Sequence, residues 1–189
     1  KTLVEMAYVN AEARFRKEKD ARSIREKTLL EMQDKLHLSR FPRRIECFDN
    51  SNIAGTSFVS TLVAFTDGVK DSSRYRKYKV KSAPAGDDYA AMKETLERRY
   101  KRANAENDFP DLLIIDGGKG HLNVALKVLA DLNIVSLDVI SLAKEEGRHD
   151  KGATAEQVFL PNVKDEPRPW LARRVRRDDQ DSKFSFRCA

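Results

Sequence analysis

The first forty residues have the hydrophobic pattern of a long, charged helix. Fourteen of the 25 residues at positions 11–35 are charged, and apolar residues recur there at spacings of three and four. The helix is expected to end before Phe41-Pro42, because a residue that precedes proline is pushed away from helical dihedrals. We therefore predict a helical linker over residues 1–40 and a folded domain over residues 41–189.

Beyond Pro42, alternating and β-branched residues predict three strands. They are expected at residues 44–49, 58–65 and 75–81, with turns at Asn50-Ser51-Asn52 and Asp67-Gly68. Connections this short favour antiparallel pairing of the three strands.

After Pro84 the hydrophobic period changes to that of helices. A helix is predicted from Asp87 or Asp88 to about Tyr100, followed by a polar linker at 104–108. The apolar run within residues 111–116 is typical of a strand buried on both faces, and therefore of a parallel strand.

A second helix is expected after Gly117-Gly118-Lys119-Gly120, and a fifth strand at 135–143; a short strand could follow at 158–160. The order of three strands, helix, strand, helix and strand predicts an α/β fold. Its core would be a mixed five-stranded sheet, with three antiparallel strands followed by parallel ones and with helices on its faces.

Composition limits the class of protein. A chain of 189 residues with 40% hydrophobic residues is one globular domain with appendages, and its longest apolar run, four residues, excludes a membrane-spanning helix. The chain opens with Lys1-Thr2 and no signal sequence, so we expect a fragment of a longer protein that is not secreted. Cys47 and Cys188 form no disulfide framework, which favours a cytoplasmic location.

Charge is distributed unevenly along the chain. The net charge is +5 over residues 1–44, −3 over 45–167 and +4 over 168–189. An acidic body between basic arms is typical of a metal-dependent enzyme that acts on a polyanion, because the metal needs carboxylates and the substrate needs cations. The alternative, that these charges only solvate the surface, stays open at this point.

Two predicted strands end in aspartates, Asp49 and Asp116. If these strands are neighbours, both carboxylates emerge at one edge of the sheet, where open α/β sheets place their sites. Oxygen ligands of this kind favour Mg²⁺ or Mn²⁺. The alternative is that each Asp bonds the backbone of its own turn. Asp87 and Asp88 leave the same choice open, since one of them can cap the helix.

Other polar groups carry weaker signals. Gly117-Gly118-Lys119-Gly120 lacks the spacing of a nucleotide-binding loop, and its glycines are expected to allow a tight turn and close approach to a substrate phosphate. His37, His121 and His149 lie outside any zinc-binding spacing.

Residues 74–81 contain five cations and two tyrosines, which fits either a surface for DNA phosphates or an edge strand protected by lysines. The candidate DNA-binding residues there are Arg74, Arg76, Lys77 and Lys79.

Several segments resemble the signatures of the UvrC family of excision-repair nucleases. The run from Arg43 to Ser51, RRIECFDNS, is similar to the family's RRIECFDIS, and GDDYAAM and LIIDGGKG follow in the family's order at 86–92 and 113–120. LAKEE at 142–146 looks like a fourth signature. Together they cover residues 40–162, and three long motifs in order make the match very specific.

This resemblance implies an RNase H-like domain that makes the 5′ incision beside a DNA lesion. The family's essential carboxylates fall on Asp49, Asp88 and Asp116, with Mg²⁺ or Mn²⁺ as cofactor. Lys119 and Lys144 are further candidates for contacts with DNA. In the family the partners are damaged duplex DNA and UvrB, and the segment that binds UvrB is absent from this sequence.

The resemblance fails in the basic tail at 168–189. The family follows its fifth strand with an RDEAHRF-like helix whose histidine completes the metal site, whereas RDDQDSKF at 177–184 puts Asp181 at the histidine position. Asp181 is therefore the candidate for the last metal ligand. The alternative function is a catalytically impaired RNase H-like module that still binds DNA.

Overall fold

The computed structural model describes residues 2–53, 57–84, 86–144, 156–161 and 168–169. Within these residues a mixed sheet of eight strands is flanked by three helices. The helices are α1 (Leu3–Leu36), α2 (Asp88–Glu106) and α3 (Lys119–Asp131). The strands are β1 (Arg44–Ile53), β2 (Ser57–Thr66), β3 (Val69–Lys70), β4 (Arg76–Lys79), β5 (Leu112–Asp116), β6 (Asp138–Lys144), β7 (Glu156–Phe159) and β8 (Arg168–Pro169).

The order of strands confirms the predicted mixed sheet. It runs β3-β2-β1-β5-β6-β7-β8, and β4 pairs with β2 on the side away from β1. β1 is antiparallel to β2, while β1 with β5 and β5 with β6 are parallel. The five predicted strands therefore form the continuous series β4-β2-β1-β5-β6, and β3, β7 and β8 extend it.

The predicted end of β1 at Asp49 is wrong. The strand continues to Ile53, because each residue from Asn50 onward pairs with β2, ending with Ile53 opposite Ser57. The turn expected at Asn50-Ser51-Asn52 is thus part of a long antiparallel pair. Asp49 lies inside the strand, one position beyond the last residue that pairs with β5.

The predicted end of α2 is also too early. The helix continues past Tyr100 to Glu106 and ends at Asn107, which adopts the left-handed conformation (φ 51°). Ala103 is completely buried in this last part. Packing therefore extends a helix over residues whose polar composition suggests a linker.

Each face of the sheet has its own hydrophobic core. One face is covered by α2 and α3, whose residues Met92, Leu96 and Leu122 pack against Phe48 and Ile115. On the opposite face the last turns of α1 cover the sheet. Contacts on that face come from Leu29, Met32 and Leu36 of α1 and from Ile45, Cys47, Leu112 and Ile114 of the sheet.

The charged helix is confirmed, and its two parts differ. Only its C-terminal part is buried, while apolar residues near its start, such as Leu3, Tyr8 and Phe15, are exposed. None of the described helices is long and apolar enough to cross a membrane. The division of the chain at residue 40 stays a prediction, although α1 shares a core with the sheet.

A buried ion pair joins β1 to α2. Arg99 Nη2 donates to Glu46 Oε1 at 2.6 Å and Arg99 Nε donates to Glu46 Oε2 at 3.1 Å, with the two side chains 8% and 2% exposed. The Tyr100 hydroxyl also donates to Glu46, at 3.4 Å, and burial raises the pKa of Tyr100 well above its usual value. This two-point contact fixes the helix over the strand that carries Asp49.

A second set of polar contacts ties the start of β1 to the start of β5. The backbone N–H of Arg44 donates to the Asp111 carboxylate at 2.8 Å, and the Asp111 N–H donates to the Arg44 carbonyl at 2.8 Å. Arg44 Nη1 also contacts Asp108 Oδ1 at 2.6 Å. Burial alone would raise the pKa of Asp108, but the bond and charge of Arg44, aided by Arg99, hold it below its usual value. The relative position of β1 and β5 is therefore fixed at one end.

We expect Arg99→Met to lower the free energy of unfolding by about 3–5 kcal/mol, because it leaves the Glu46 carboxylate buried without its cation. Replacing both partners, in Glu46→Leu with Arg99→Met, should cost much less. Urea denaturation of the two variants measures the difference.

The matched control is Arg102→Met, which removes an exposed pair with Glu106 on the same helix. It should change stability by at most about 1 kcal/mol. Equal effects of Arg99→Met and Arg102→Met would contradict the structural role of the buried pair.

Candidate active site

Asp49 and Asp116 lie side by side on neighbouring parallel strands. The last pair of the β1–β5 register is Phe48 with Ile115, and Asp49 and Asp116 are the next residues of the two strands. Adjacent strands are about 4.8 Å apart. The two strands are thus neighbours, which is the condition for both aspartates to emerge at one edge of the sheet.

Both carboxylates lie on the face that α1 covers. Side chains alternate along a strand, so Asp49 shares a face with Cys47, and Asp116 shares a face with Ile114. Because α1 covers the rows of Cys47 and Ile114, the carboxylates form the next row beyond the covered core. Asp49 is half-buried there and Asp116 is exposed.

Two lysines of the edge strand point to the same face. Lys77 pairs with Thr61 of β2, and Thr61 pairs with Asp49, so all three lie in one row across the sheet. Lys79 lies two residues further along β4, on the same face, and both lysines are exposed. The row thus runs from a cation at the edge of the sheet to two carboxylates at its centre.

The start of α2 supplies the third predicted carboxylate. Asp87 is the cap of the helix, since its side chain accepts from the Ala90 N–H at 2.9 Å. Asp88 is the first helical residue, and its side chain is 48% exposed. Of the two aspartates, Asp87 is therefore the one that caps the helix, a choice that the local sequence leaves open.

Asn50 links Asp88 to β1. Its Nδ2 donates to the Asp88 carbonyl at 3.1 Å, and its Oδ1 accepts from the Ser60 hydroxyl. Thr95 of α2 donates to Ser60 at 2.9 Å, inside the core. The residue next to Asp49 therefore holds the start of α2 in place, a role that sequence reasoning missed by assigning Asn50 to a turn.

His121 is the second residue that sequence reasoning missed. Its Nε2 lies 3.1 Å from Asp88 Oδ2, and its ring lies 4.5 Å from the ring of Tyr89. The sequence does place His121 in the first turn of the helix that follows Asp116. Because that helix begins at the end of β5, His121 could have been expected near the candidate site. Judging the histidine only by metal-ligand spacing hid this contact.

The glycine-rich loop accommodates neighbouring side chains. Gly117 has a positive φ of 147°, and a Cβ atom there would lie 2.5 Å from His121 Nδ1. A Cβ atom at Gly120 would lie 2.6 Å from the Tyr89 hydroxyl oxygen. Gly118 has no atom within 4 Å of such a position. Two of the three glycines therefore make room for His121 and Tyr89, and the expected approach to a phosphate stays a prediction for Gly118.

The predicted DNA-binding residues fall into separate groups. Arg74 contacts Asp108 at 3.3 Å and Asp71 at 3.4 Å, and Arg76 donates to the Ser73 and Tyr75 carbonyls, both at 2.8 Å. These two arginines thus bind within the protein, whereas Lys77 and Lys79 lie on the face of the carboxylates. Lys119 is exposed at the first position of α3.

Two predicted residues lie outside what the structure describes. They are the side chain of Lys144, whose backbone belongs to β6, and the whole of Asp181. Among the described residues, no group of three or more His, Cys, Asp and Glu side chains is arranged to hold a metal. The pair Asp49 and Asp116 nevertheless offers the oxygen donors that Mg²⁺ and Mn²⁺ prefer.

A family model described as the UvrC RNase H endonuclease domain matches residues 33–177. The chain belongs to this family. The match covers the whole sheet and ends at Arg177, the first residue of the segment in which the sequence departs from the RDEAHRF-like motif. The family assignment confirms the resemblance found in the sequence and the RNase H-like fold class.

Relatives named UvrABC system protein C are similar over most of this chain. The protein of Protochlamydia amoebophila is 64% identical over 159 residues, which are 84% of this chain and 26% of the relative. That of Geotalea daltonii is 44% identical over 167 residues, 86% of this chain and 27% of the relative. The chain thus spans about a quarter of the length of these curated relatives.

Among solved structures, the chain is similar to Ciona intestinalis endonuclease V (D234N) in complex with an inosine-containing DNA. The TM-score is 0.43 at 18% identity, covering 78% of this chain and 61% of that one. The similarity to human endonuclease V has a TM-score of 0.41 at 12% identity, covering 78% of this chain and 80% of that one. Similarity at this level carries no functional argument.

We expect Gly117→Ala to lower the free energy of unfolding by about 1–3 kcal/mol, because a side chain at positive φ is strained and its Cβ would meet the His121 ring. Gly118→Ala is the matched control one residue away, with open space around its Cβ position and φ −81°. It should leave stability almost unchanged. Thermal unfolding of both variants tests the expectation, and similar melting temperatures would contradict the fit between Gly117 and His121.

Proposed function

We propose that this chain is a divalent-metal-dependent endonuclease domain that cuts one DNA strand on the 5′ side of a lesion. The observation that carries the proposal is the placement of Asp49 and Asp116 at adjoining positions of neighbouring parallel strands. The start of α2, with Asp88, is tied to the same part of β1 by Asn50. Membership of the UvrC endonuclease domain family supports the same reaction.

The chemistry follows from the residue types at this edge. Asp49 and Asp116 would hold Mg²⁺ or Mn²⁺ through carboxylate oxygens, and Asp88 is proposed as the third carboxylate of the site. The bound cation supplies charge stabilisation and an activated water for in-line attack on the phosphodiester. Clustered carboxylates repel one another when no cation is present, which gives the site a reason to bind one. Asp181 stays the candidate for the last ligand.

The cations around the site suit the DNA backbone. Lys77 and Lys79 lie on the same face as Asp49 and Asp116, and Lys119 follows Asp116 by three residues. The lysines would contact phosphates on either side of the cleaved bond, and Lys144 is proposed for the same role. Phosphate contacts position DNA without reading its sequence. We propose that recognition of the lesion depends on UvrB and on parts of the relatives' length that this chain does not span.

A second candidate function is an RNase H-like module that binds DNA without cutting it. The observation in its favour is the sequence RDDQDSKF at 177–184, where the family's histidine is replaced by Asp181. The two functions share the basic surface and differ in the cleavage step. Incision by the unaltered protein therefore separates them.

We expect Asp49→Asn and Asp116→Asn each to lower the incision rate by at least about a hundredfold, because each removes charge at the metal site. DNA affinity should hold or rise, since less negative charge then opposes the phosphates. The measurement is incision of an end-labelled duplex with one lesion by the full-length protein with UvrB and the rest of its repair system. Removing divalent ions with EDTA should stop incision, and adding Mn²⁺ should restore it.

Asp131→Asn, at the exposed end of α3, is the matched control and should incise normally. Normal incision by either site variant would refute the metal-site assignment. Absence of incision by the unaltered protein, with DNA binding retained, would favour the second candidate function.

A plot of log DNA affinity against log salt concentration falls steeply when many phosphate contacts are made. We expect the double variant Lys77→Ala with Lys79→Ala to make this plot less steep by about two, one for each lost phosphate contact. The matched pair is Arg74→Ala with Arg76→Ala, whose guanidinium groups bind within the protein and should change the slope less. Fluorescence anisotropy with an undamaged duplex at several salt concentrations measures both slopes. An unchanged slope for the lysine pair would mean that the lysines of β4 protect the edge of the sheet and do not contact DNA phosphates.

A further inference from the structure

Asp88 and His121 form a contact between the starts of two helices. His121 Nε2 lies 3.1 Å from Asp88 Oδ2, and the side chains are 14% and 48% exposed respectively. An ionised carboxylate only accepts hydrogen bonds, so the Nε2 atom must carry the proton and donate it. The imidazole is the more enclosed of the two partners, and the carboxylate is half-exposed.

The position of His121 is fixed from two sides. Its ring lies against Tyr89, with the centroids 4.5 Å apart and the planes inclined by 33°. On the other side, Gly117 leaves the space that the imidazole fills, since a Cβ atom there would be 2.5 Å from Nδ1. Tyr89 in turn fills the space above Gly120. The glycine-rich loop therefore holds an imidazole in one orientation.

We propose that His121 is a positioning residue for Asp88. By donating from Nε2 to Oδ2, it fixes the rotation of the carboxylate, so that the other oxygen, Oδ1, is held in one direction. This inference rests on the proposed function, because Asp88 needs a fixed orientation only if it takes part in the metal site.

The contact also assigns a use to the glycine-rich loop. Gly117 and Gly120 leave room for His121 and Tyr89, and His121 in turn orients Asp88. Their effect on a substrate would therefore pass through the Asp88 carboxylate. His121 itself is not assigned as a metal ligand, since its Nε2 atom binds Asp88 and its Nδ1 atom lies against Gly117. A misplacement of a reacting group by about 1 Å can lower a rate by about a hundredfold, which is the scale of effect that a lost positioning contact can produce.

The test compares His121→Ala with His121→Gln in the full-length protein. His121→Ala should lower kcat for incision by about ten- to a hundredfold with little change in KM for DNA, because the phosphate-binding lysines are untouched. His121→Gln keeps an N–H donor near Asp88 and should recover most of kcat. Asn123→Ala, an exposed change on the same helix, is the matched control and should resemble the unaltered protein.

Two readouts do not depend on cleavage. Calorimetric titration with Mn²⁺ alone should show several-fold weaker binding for His121→Ala and near-normal binding for His121→Gln. The ¹⁵N NMR spectrum of the His121 ring should show a proton on Nε2, and Asp88→Asn should shift that signal. An Nε2 atom without a proton, or equal kcat and Mn²⁺ affinity for the alanine variant and the unaltered protein, would overturn the proposal.

The outcomes also distinguish this proposal from the proposed function. If neither the unaltered protein nor Asp116→Asn incises or binds Mn²⁺, the metal-dependent function fails. A tautomer protonated at Nε2 that responds to Asp88→Asn would then still support the contact. The positioning role would nevertheless fail, because there would be no metal site for Asp88 to serve. If the unaltered protein incises and His121→Ala incises equally well, only the positioning role fails.

Discussion

The register between β1 and β5 is the constraint on which the candidate site depends. Side chains alternate between the faces of a strand. A slip of one residue would therefore turn Asp116 to the face covered by α2 and α3, away from Asp49. Asp111 prevents this slip by bonding the backbone of Arg44 in both directions at the start of the strands. Asp108 and the buried pair of Glu46 and Arg99 then fix α2 to the same end of β1. Polar groups at one end of the strands thus determine which side chains meet at the other end.

Much of this arrangement is predictable from sequence, because it is encoded in local patterns. The apolar run 112–115 identifies a strand buried on both faces, and burial of each of its residues confirms this. The order of strands and helices follows from changes in hydrophobic period. That Asp49 and Asp116 meet at one edge is predicted on the condition that their strands are neighbours, which the pairing of β1 with β5 meets. The similarity of three motifs to one family adds Asp88, which local patterns could not separate from Asp87.

Features that depend on distant contacts were not predictable. The extension of β1 beyond Asp49 is imposed by pairing with β2, although Asn50-Ser51-Asn52 has the composition of a turn. The contact between Asp88 and His121 joins residues 33 positions apart, and that between Glu46 and Arg99 joins residues 53 apart. No periodicity within either segment reports such a partner. The basic strand shows the same limit, since composition cannot tell which of its cations bind within the protein.

The uneven pairing of β1 gives its two halves different opening behaviour. From Ile45 to Phe48 the strand is paired on both sides and buried, so backbone amides there exchange with solvent only when much of the domain unfolds. From Asn50 to Ile53 the described pairing is with β2 alone, and that part can open in smaller steps. Asp49 lies at the boundary between the two. Its backbone is thus anchored by the most protected part of the sheet.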